Sequence, residues 1–459
     1  MQKNRELFET APVPRALAAL AVPTIISQLI IMIYNLADTV FIGMANDPSK
    51  TAASSVAFVL VFAMNCLSNL FGVGGGSLIS RLLGEHKDKD AAGVSSFSFY
   101  GSLALAAIYS VVIYFFMEPF LYFLGATEGS IGYASDYAFY VVVIGAIPST
   151  LAMTLSNLLR SEGFAKQASL GIGLGGILNI ILDPVFMFLI LEPGNEVKGA
   201  AMATLLSNVF VLCYFSVVLI RLGRKSVLSL NPSRVMIERR YAFSVFAVGF
   251  PSALSSALAC LASIMLNNLT SGYSYLYGDV PVAAVGIAKK IDMLPMNVGM
   301  GLCQGMMPLV AYNYSSGNYK RMRSFTTAAR NAGIAFALLC IIVFEIFAEN
   351  IVRLFIGDAD TVAMATNFLR IMCLAVPFMI ANFQLSFTLQ AMGLGKQSLL
   401  LSSLRQGIVN IPLLLLMNSL FGLYGIVWTQ IISDFITIII SYAVYEHTYK
   451  KLIKSQISE

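Results

Sequence analysis

The feature that most constrains this chain is a succession of apolar runs, each closed by polar residues or by Gly and Pro. They fall at 16–40, 52–80, 93–117, 133–158, 168–190 and 199–221, and again at 242–269, 281–311, 325–348, 363–391, 397–417 and 420–445. Crossing the hydrocarbon core of a bilayer takes about 20 apolar residues in a helix. Lipid offers the backbone no hydrogen-bond partners, so runs of this length read as helices that satisfy their own N–H and C=O groups. Composition agrees: 58% of residues are hydrophobic and only 12% are charged, against about 25% charged in soluble domains. The expected fold class is all-α integral membrane, with twelve transmembrane helices, short loops and no soluble domain.

Basic residues set the expected orientation, because loops rich in Lys and Arg stay on the cytoplasmic side. The segments 3–15, 81–89, 160–166, 221–240, 320–323, 396 and 450–454 together hold 21 Lys and Arg, whereas the alternating loops hold Lys50, Lys198 and Arg353. Both termini are therefore expected inside, in a multi-pass protein of the plasma (inner) membrane. The surplus of positive charge is a topology signal and gives no support for nucleic acid as a partner. The six cysteines all lie within apolar runs and read as small packing residues. His86 and His447 sit at loop edges, so no His-rich metal site is expected. The polar start MQKNRELFETAPVPR leads straight into a full-length span, without the pattern of a cleavable signal.

The chain also repeats itself at about half its length. Pro23 matches Pro251, Pro148 matches Pro377, Gly163–Gln167 matches Gly393–Gln397, and Gly84-x-x-Lys87 matches Gly317-x-x-Lys320. Each half has six spans beginning on the same side, which gives parallel repeats with a cavity suited to alternating access. The expected organisation is an N-terminal lobe (1–222), a basic cytoplasmic linker (223–240) and a C-terminal lobe (241–459), two pseudo-symmetric six-helix lobes in all.

Ionisable residues at membrane depth are costly, so each raises a functional hypothesis. Gln28, Asn35 and Asp38 fall at i, i+7 and i+10 on one stripe of the first span. Asn179 and Asp183 are i, i+4 neighbours in the fifth, followed by Pro184, and the sixth adds Thr204, Ser207 and Asn208. A desolvated carboxylate can take up and release a proton near neutral pH, and carboxylate, amide and hydroxyl oxygens also suit a hard monovalent cation. The cluster thus serves either coupling ion. Asp38 lies near the outer end of its span, where contact with headgroups or water is the competing explanation.

The second half is not equivalent, for Leu414 stands opposite Asp183. Its candidates are Asp292, three residues from Lys289 and open to neutralisation by it, together with Arg405 and Asp434. Arg405 can snorkel toward a cytoplasmic end. Asp434 takes the place of Asn208, which fits a hydrogen-bonding role as well as a functional one. The glycine strings 72–76, 171–176 and 299–305 allow close helix packing or bending. The segment MGLGKQS departs from a phosphate-binding loop, so ATP-driven pumping gains no support.

At this point the residues resemble a known family. DTVFIG at 38–43, LRSEGFAKQ at 159–167, NIILDP at 179–184, GAAMAT at 199–204 and QGMMPLVAYNYSSG at 304–317 are similar to motifs of the MATE multidrug and toxic compound extrusion transporters. The resemblance covers the whole chain. It implies two six-helix lobes in a V shape and export of organic, often cationic, small molecules in exchange for H⁺ or Na⁺, with no cofactor, by a monomer in the lipid bilayer. By motif it implies an ion site, open to Na⁺, at Asp38, Asn179, Asp183 and Thr204, with Asn157 joining their hydrogen bonds. The seventh span lacks the acid of the NorM branch, which points to the DinF-like or MepA-like branches. A flippase or exporter of a lipid-linked substrate within the same superfamily is the alternative reading.

Overall fold

A computed structural model describes residues 2–44, 47–235, 238–278 and 280–458; the side chains of Lys3 and Arg224, counted among the basic residues, lie outside what it describes. Among the described residues the secondary structure is entirely helical. In chain order the helices are α1 (Gln2–Glu9), α2 (Val13–Met44), α3 (Pro48–Gly84), α4 (Asp88–Phe123), α5 (Ile131–Ala138), α6 (Ala146–Ser161), α7 (Ala165–Pro184) and α8 (Glu196–Leu222). After the linker come α9 (Arg239–Ser271), α10 (Ser274–Tyr277), α11 (Val280–Ser315), α12 (Tyr319–Arg353), α13 (Ala359–Cys373), α14 (Val376–Ala391), α15 (Gly395–Ser403) and α16 (Asn410–Ser458).

Among the described residues eight segments are long and apolar enough to cross a membrane, and two bent pairs bring this to 10. The α11 helix has the length of a crossing but carries Lys289, Lys290 and Asp292. The segment Gly395–Lys454 has 60 residues, about 90 Å at 1.5 Å per residue, which is twice a bilayer crossing. It breaks at Gly422, whose φ of 61° is left-handed and free of strain only for glycine. Counted so, the helices match the twelve spans of the sequence, although the last two spans divide at Gly422, inside α16, and not at 418–419.

Both bent pairs fall where the repeat places equivalent prolines. The α5 and α6 segments meet at 51° just before Pro148, and α13 and α14 meet at 44° just before Pro377. Each proline sits in the first turn of the following helix, where its missing N–H costs no intrahelical hydrogen bond.

Packing divides the chain into one compact unit of Met1–Ala11 with Val22–Ala253, and a second of Pro12–Ala21 with Leu254–Glu459. The division by packing differs from that by sequence, since the start of α2 joins the second unit and the first half of α9 joins the first. Glycine explains both. Gly305 presents bare backbone to Ala21, while Gly74 and Gly249 let α3 and α9 touch backbone to backbone at Val245 and Leu70. The apolar core of the first unit runs from Ile42 and Leu60 through Val141 to Met187, and that of the second from Val285 through Phe368 to Ile426.

Candidate ion and substrate site

In the first unit α7 is wedged between α2 and α8, and its glycines set how closely. A methyl group at Gly176 would come within 2.8 Å of Ile30 and 3.0 Å of Tyr34, so this face must stay bare for α2 to approach. Gly175, on the adjoining face, receives Val211 of α8. One and two turns onward, this side of α7 carries Asn179 and Asp183. The close approach thereby brings α2 and α8 side chains to them.

Asp183 is fully buried, and its Oδ1 accepts a hydrogen bond from Asn179 Nδ2 at 3.1 Å. The same Nδ2 lies 3.3 Å from Thr204 Oγ1 on α8. Asp38 is near enough for its charge to act on Asp183. Three buried oxygens in this group, Asp38 Oδ1, Asn179 Oδ1 and Asp183 Oδ2, have no hydrogen-bond partner among the described residues. Unsatisfied buried acceptors are rare in folded proteins, and here they converge with no Lys or Arg ion-paired to either acid among the described residues. Such a group suits a proton or a small hard cation.

The cluster opens on a cavity of about 120 Å³. Asn35, Asp38, Asn179 and Thr204 line it, together with Tyr34, Asn65, Tyr137 and Asn208. Phe58, Met64 and Met153 supply apolar wall. Of the residues proposed from sequence, Asp38, Asn35, Asn179, Asp183 and Thr204 are thus brought together. Gln28, two turns before Asn35, stays outside the cavity wall among the described residues. So does Asn157, whose Oδ1 lies 3.4 Å from Arg160 Nη1 and whose amide faces Gly72. Tyr137, which shares a hydrogen bond with Thr204, had no signal in the sequence beyond being a tyrosine in an apolar run. Asn65, an amide deep in the second span, was the stronger hint.

The second-unit candidates are arranged differently. Lys289 does not pair with Asp292. Its Nζ turns to Ser263 Oγ at 2.8 Å, and Asp292 Oδ1 has no hydrogen-bond partner among the described residues. Arg405 does not snorkel; it is 8% exposed and its Nε lies 2.7 Å from Asp434 Oδ1.

A further buried acid, Glu162, sits in the turn after α6 and is 5% exposed. Its Oε2 accepts from Ser226 Oγ at 2.5 Å and its Oε1 from the Val227 N–H at 2.6 Å. Burial pushes its carboxyl up to about 7, against the two hydrogen bonds that favour the charged form. The linker is held further by Ser229, whose N–H donates to Ser95 Oγ and whose carbonyl accepts from Ser96 Oγ at 2.7 Å, and by Tyr100 Oη donating to the Leu230 carbonyl.

Comparison with known proteins bears on this arrangement. The MatE family model matches twice, at residues 23–185 and 251–416, beginning at the paired prolines Pro23 and Pro251. The multidrug export protein MepA of Staphylococcus saprophyticus is 33% identical over 427 residues, covering 93% of this chain and 92% of that protein. MepA of Staphylococcus aureus strain MSSA476 is 33% identical over 428 residues, with the same coverage. Among solved structures, a MATE protein in complex with MaD3S superposes with a TM-score of 0.91 at 24% identity, over 98% of this chain and 99% of that one. A multidrug resistance MATE family transporter in an outward-facing conformation gives 0.91 at 23% identity, over 99% of each. These structures share the fold.

Proposed function

Because the chain belongs to the MatE family of multidrug export transporters, and is a transporter and not an enzyme, we propose that it is a secondary antiporter expelling organic cations in exchange for H⁺ or Na⁺ by alternating access. The observation that carries this reading is the convergence of Asp38, Asn179, Asp183 and Thr204, with three unpartnered oxygens, at a cavity walled by tyrosines, Phe58 and methionines.

Two carboxylates in low dielectric repel when both are ionised. A proton or Na⁺ taken up between them relieves the repulsion, with Asn179 Oδ1 and Thr204 Oγ1 as further oxygen donors. An organic cation in the cavity draws on the same negative charge, while the aromatic rings favour it by cation–π attraction. Ion and substrate therefore weaken each other by equal factors, which is the thermodynamic requirement for exchange. The basic-residue asymmetry supports both termini in the cytoplasm. The cluster is built from residues of one chain, which supports a monomer in its bilayer as the transporting unit.

The test is ethidium efflux from proteoliposomes under separately imposed pH and Na⁺ gradients. One of the two gradients drives efflux in the wild type, and Asp183→Asn abolishes it while the protein remains in the membrane. Efflux at the wild-type rate from Asp183→Asn refutes the reading.

A further inference from the structure

The second unit repeats the architecture of the first but closes its acid differently. Aligning Gly199 with Gly425 puts Gln430 in the place of Thr204 and Asp434 in the place of Asn208. Asp434 is fully buried. Gln430 Nε2 donates to its Oδ2 at 2.7 Å, as a cluster residue would. The other contacts have no counterpart in the first unit. Arg405 Nε lies 2.7 Å from Asp434 Oδ1, and Nη2 lies 3.4 Å from Oδ2. The guanidinium is stacked on Phe383, with Cζ 4.4 Å from the ring centroid.

The helix around Asp434 is pinned as well. Asn382 Nδ2 donates to the Asp434 carbonyl and to Thr437 Oγ1, both at 3.0 Å, and Ser441 Oγ donates to Asn382 Oδ1 at 3.1 Å. Lys289 and Asp292 on α11 are the other ionisable groups of this neighbourhood. The charge of Asp292 reaches Asp434 and Arg405 without an ion pair to either among the described residues.

We propose that Arg405 is a resident counter-cation, a tethered guanidinium placed where Asp434 would otherwise hold an exchangeable cation, so that it confines ion exchange to the first unit. The proposal rests on the reading that the first-unit acids take the coupling ion. It follows from the contrast between two buried acids. Asp183 keeps an oxygen without a partner among the described residues, whereas Asp434 has both oxygens engaged by one fixed cation and one amide. A buried carboxylate deprived of its partner demands a replacement charge, and a guanidinium-sized space beside Phe383 would then be open to one.

The test is chemical rescue in the purified full-length protein. Guanidinium chloride at millimolar concentration is the probe, with urea as its neutral isostere. Guanidinium raises the Tm of Arg405→Ala by roughly 2 °C or more, urea does not, and neither raises the Tm of the wild type or of Arg405→Ala/Asp434→Asn. A folded Arg405→Ala protein that guanidinium fails to stabilise overturns the proposal, as does a response that survives in the double variant. Should Arg405→Ala fail to fold, Arg405→Met/Asp434→Leu decides, because removing both members of a buried pair is generally tolerated. That variant retains gradient-driven ethidium efflux if the pair is closed on itself. A folded but uncoupled protein would place the pair in the coupling machinery and overturn the proposal. Rescue is read as stability, so a failure of the first-unit reading would appear separately, in the efflux of Asp183→Asn.

Discussion

Glu162 makes the attachment of the linker depend on pH. Released from the turn, its carboxyl would titrate at the ordinary 4.5; docked against Ser226 and Val227, it is pushed up to about 7 by burial. Between those values the docked state holds a proton that the released state has lost, so docking weakens as pH rises from 4.5 through 7. The difference is worth roughly 3 kcal/mol at about 1.4 kcal/mol per pH unit. Most of the change that remains above pH 5.5 is spent by pH 7.5, which corresponds to a loss of about 2 kcal/mol, or roughly thirtyfold in the opening equilibrium. Amide hydrogen exchange reads this directly, because the Val227 N–H donates to Glu162 and the Ser229 N–H to Ser95. After correction for the intrinsic pH dependence of exchange, protection at Val227 and Ser229 falls by this factor between pH 5.5 and 7.5. In Glu162→Gln the corrected protection is flat. A flat profile in the wild type, or an equal slope in Glu162→Gln, would refute the reasoning.

Three further outcomes follow from packing, charge and topology. Lys50 and Glu196 form a largely buried ion pair at 2.6 Å, so Lys50→Met strands the carboxylate and lowers stability by about 3 kcal/mol; thermal unfolding shows this, with recovery in Lys50→Met/Glu196→Gln. Gly249→Ala drives a methyl group into the Leu70 carbonyl and costs about 1–3 kcal/mol. By contrast Gly286→Ala, with open space around it, is neutral or stabilising by about 1 kcal/mol, and an equal loss from both substitutions would count against the close crossing of α3 and α9. Single cysteines in 81–92, 221–240 and 312–324, in a Cys-free background, should resist impermeant maleimides in intact cells; labelling of 221–240 from outside reverses the proposed orientation.

What was legible in the sequence was what local periodicity and repetition encode. Spans follow from apolar length, and the two bends lie at prolines that the repeat had already paired. The i, i+4 spacing of Asn179 and Asp183 placed them on one helix face and the motifs named Asp38 and Thr204 beside them; the structure supplies the reason they meet, glycines at 175 and 176 that admit α2 and α8. Contacts between distant residues were not legible. Arg405 and Asp434 are 29 residues apart on different helices, and only tertiary packing chooses pairing over snorkelling. Lys289 and Asp292 have the spacing of an ion pair, yet the hydroxyl of Ser263 takes the ammonium. Glu162 resembles an ordinary loop acid until the linker folds over it, an event that no local pattern announces.

The central claim, that the first-unit acids set ion and substrate against each other, is tested most directly by substrate affinity. Binding of a fluorescent organic cation to purified protein is measured over roughly pH 5 to 9, with and without Na⁺, for the wild type, Asp38→Asn and Asp183→Asn. The account predicts that acid or Na⁺ weakens binding in the wild type and that the dependence is lost in both variants. Wild-type affinity indifferent to both ions, or an ion dependence unchanged in Asp38→Asn and Asp183→Asn, would contradict it.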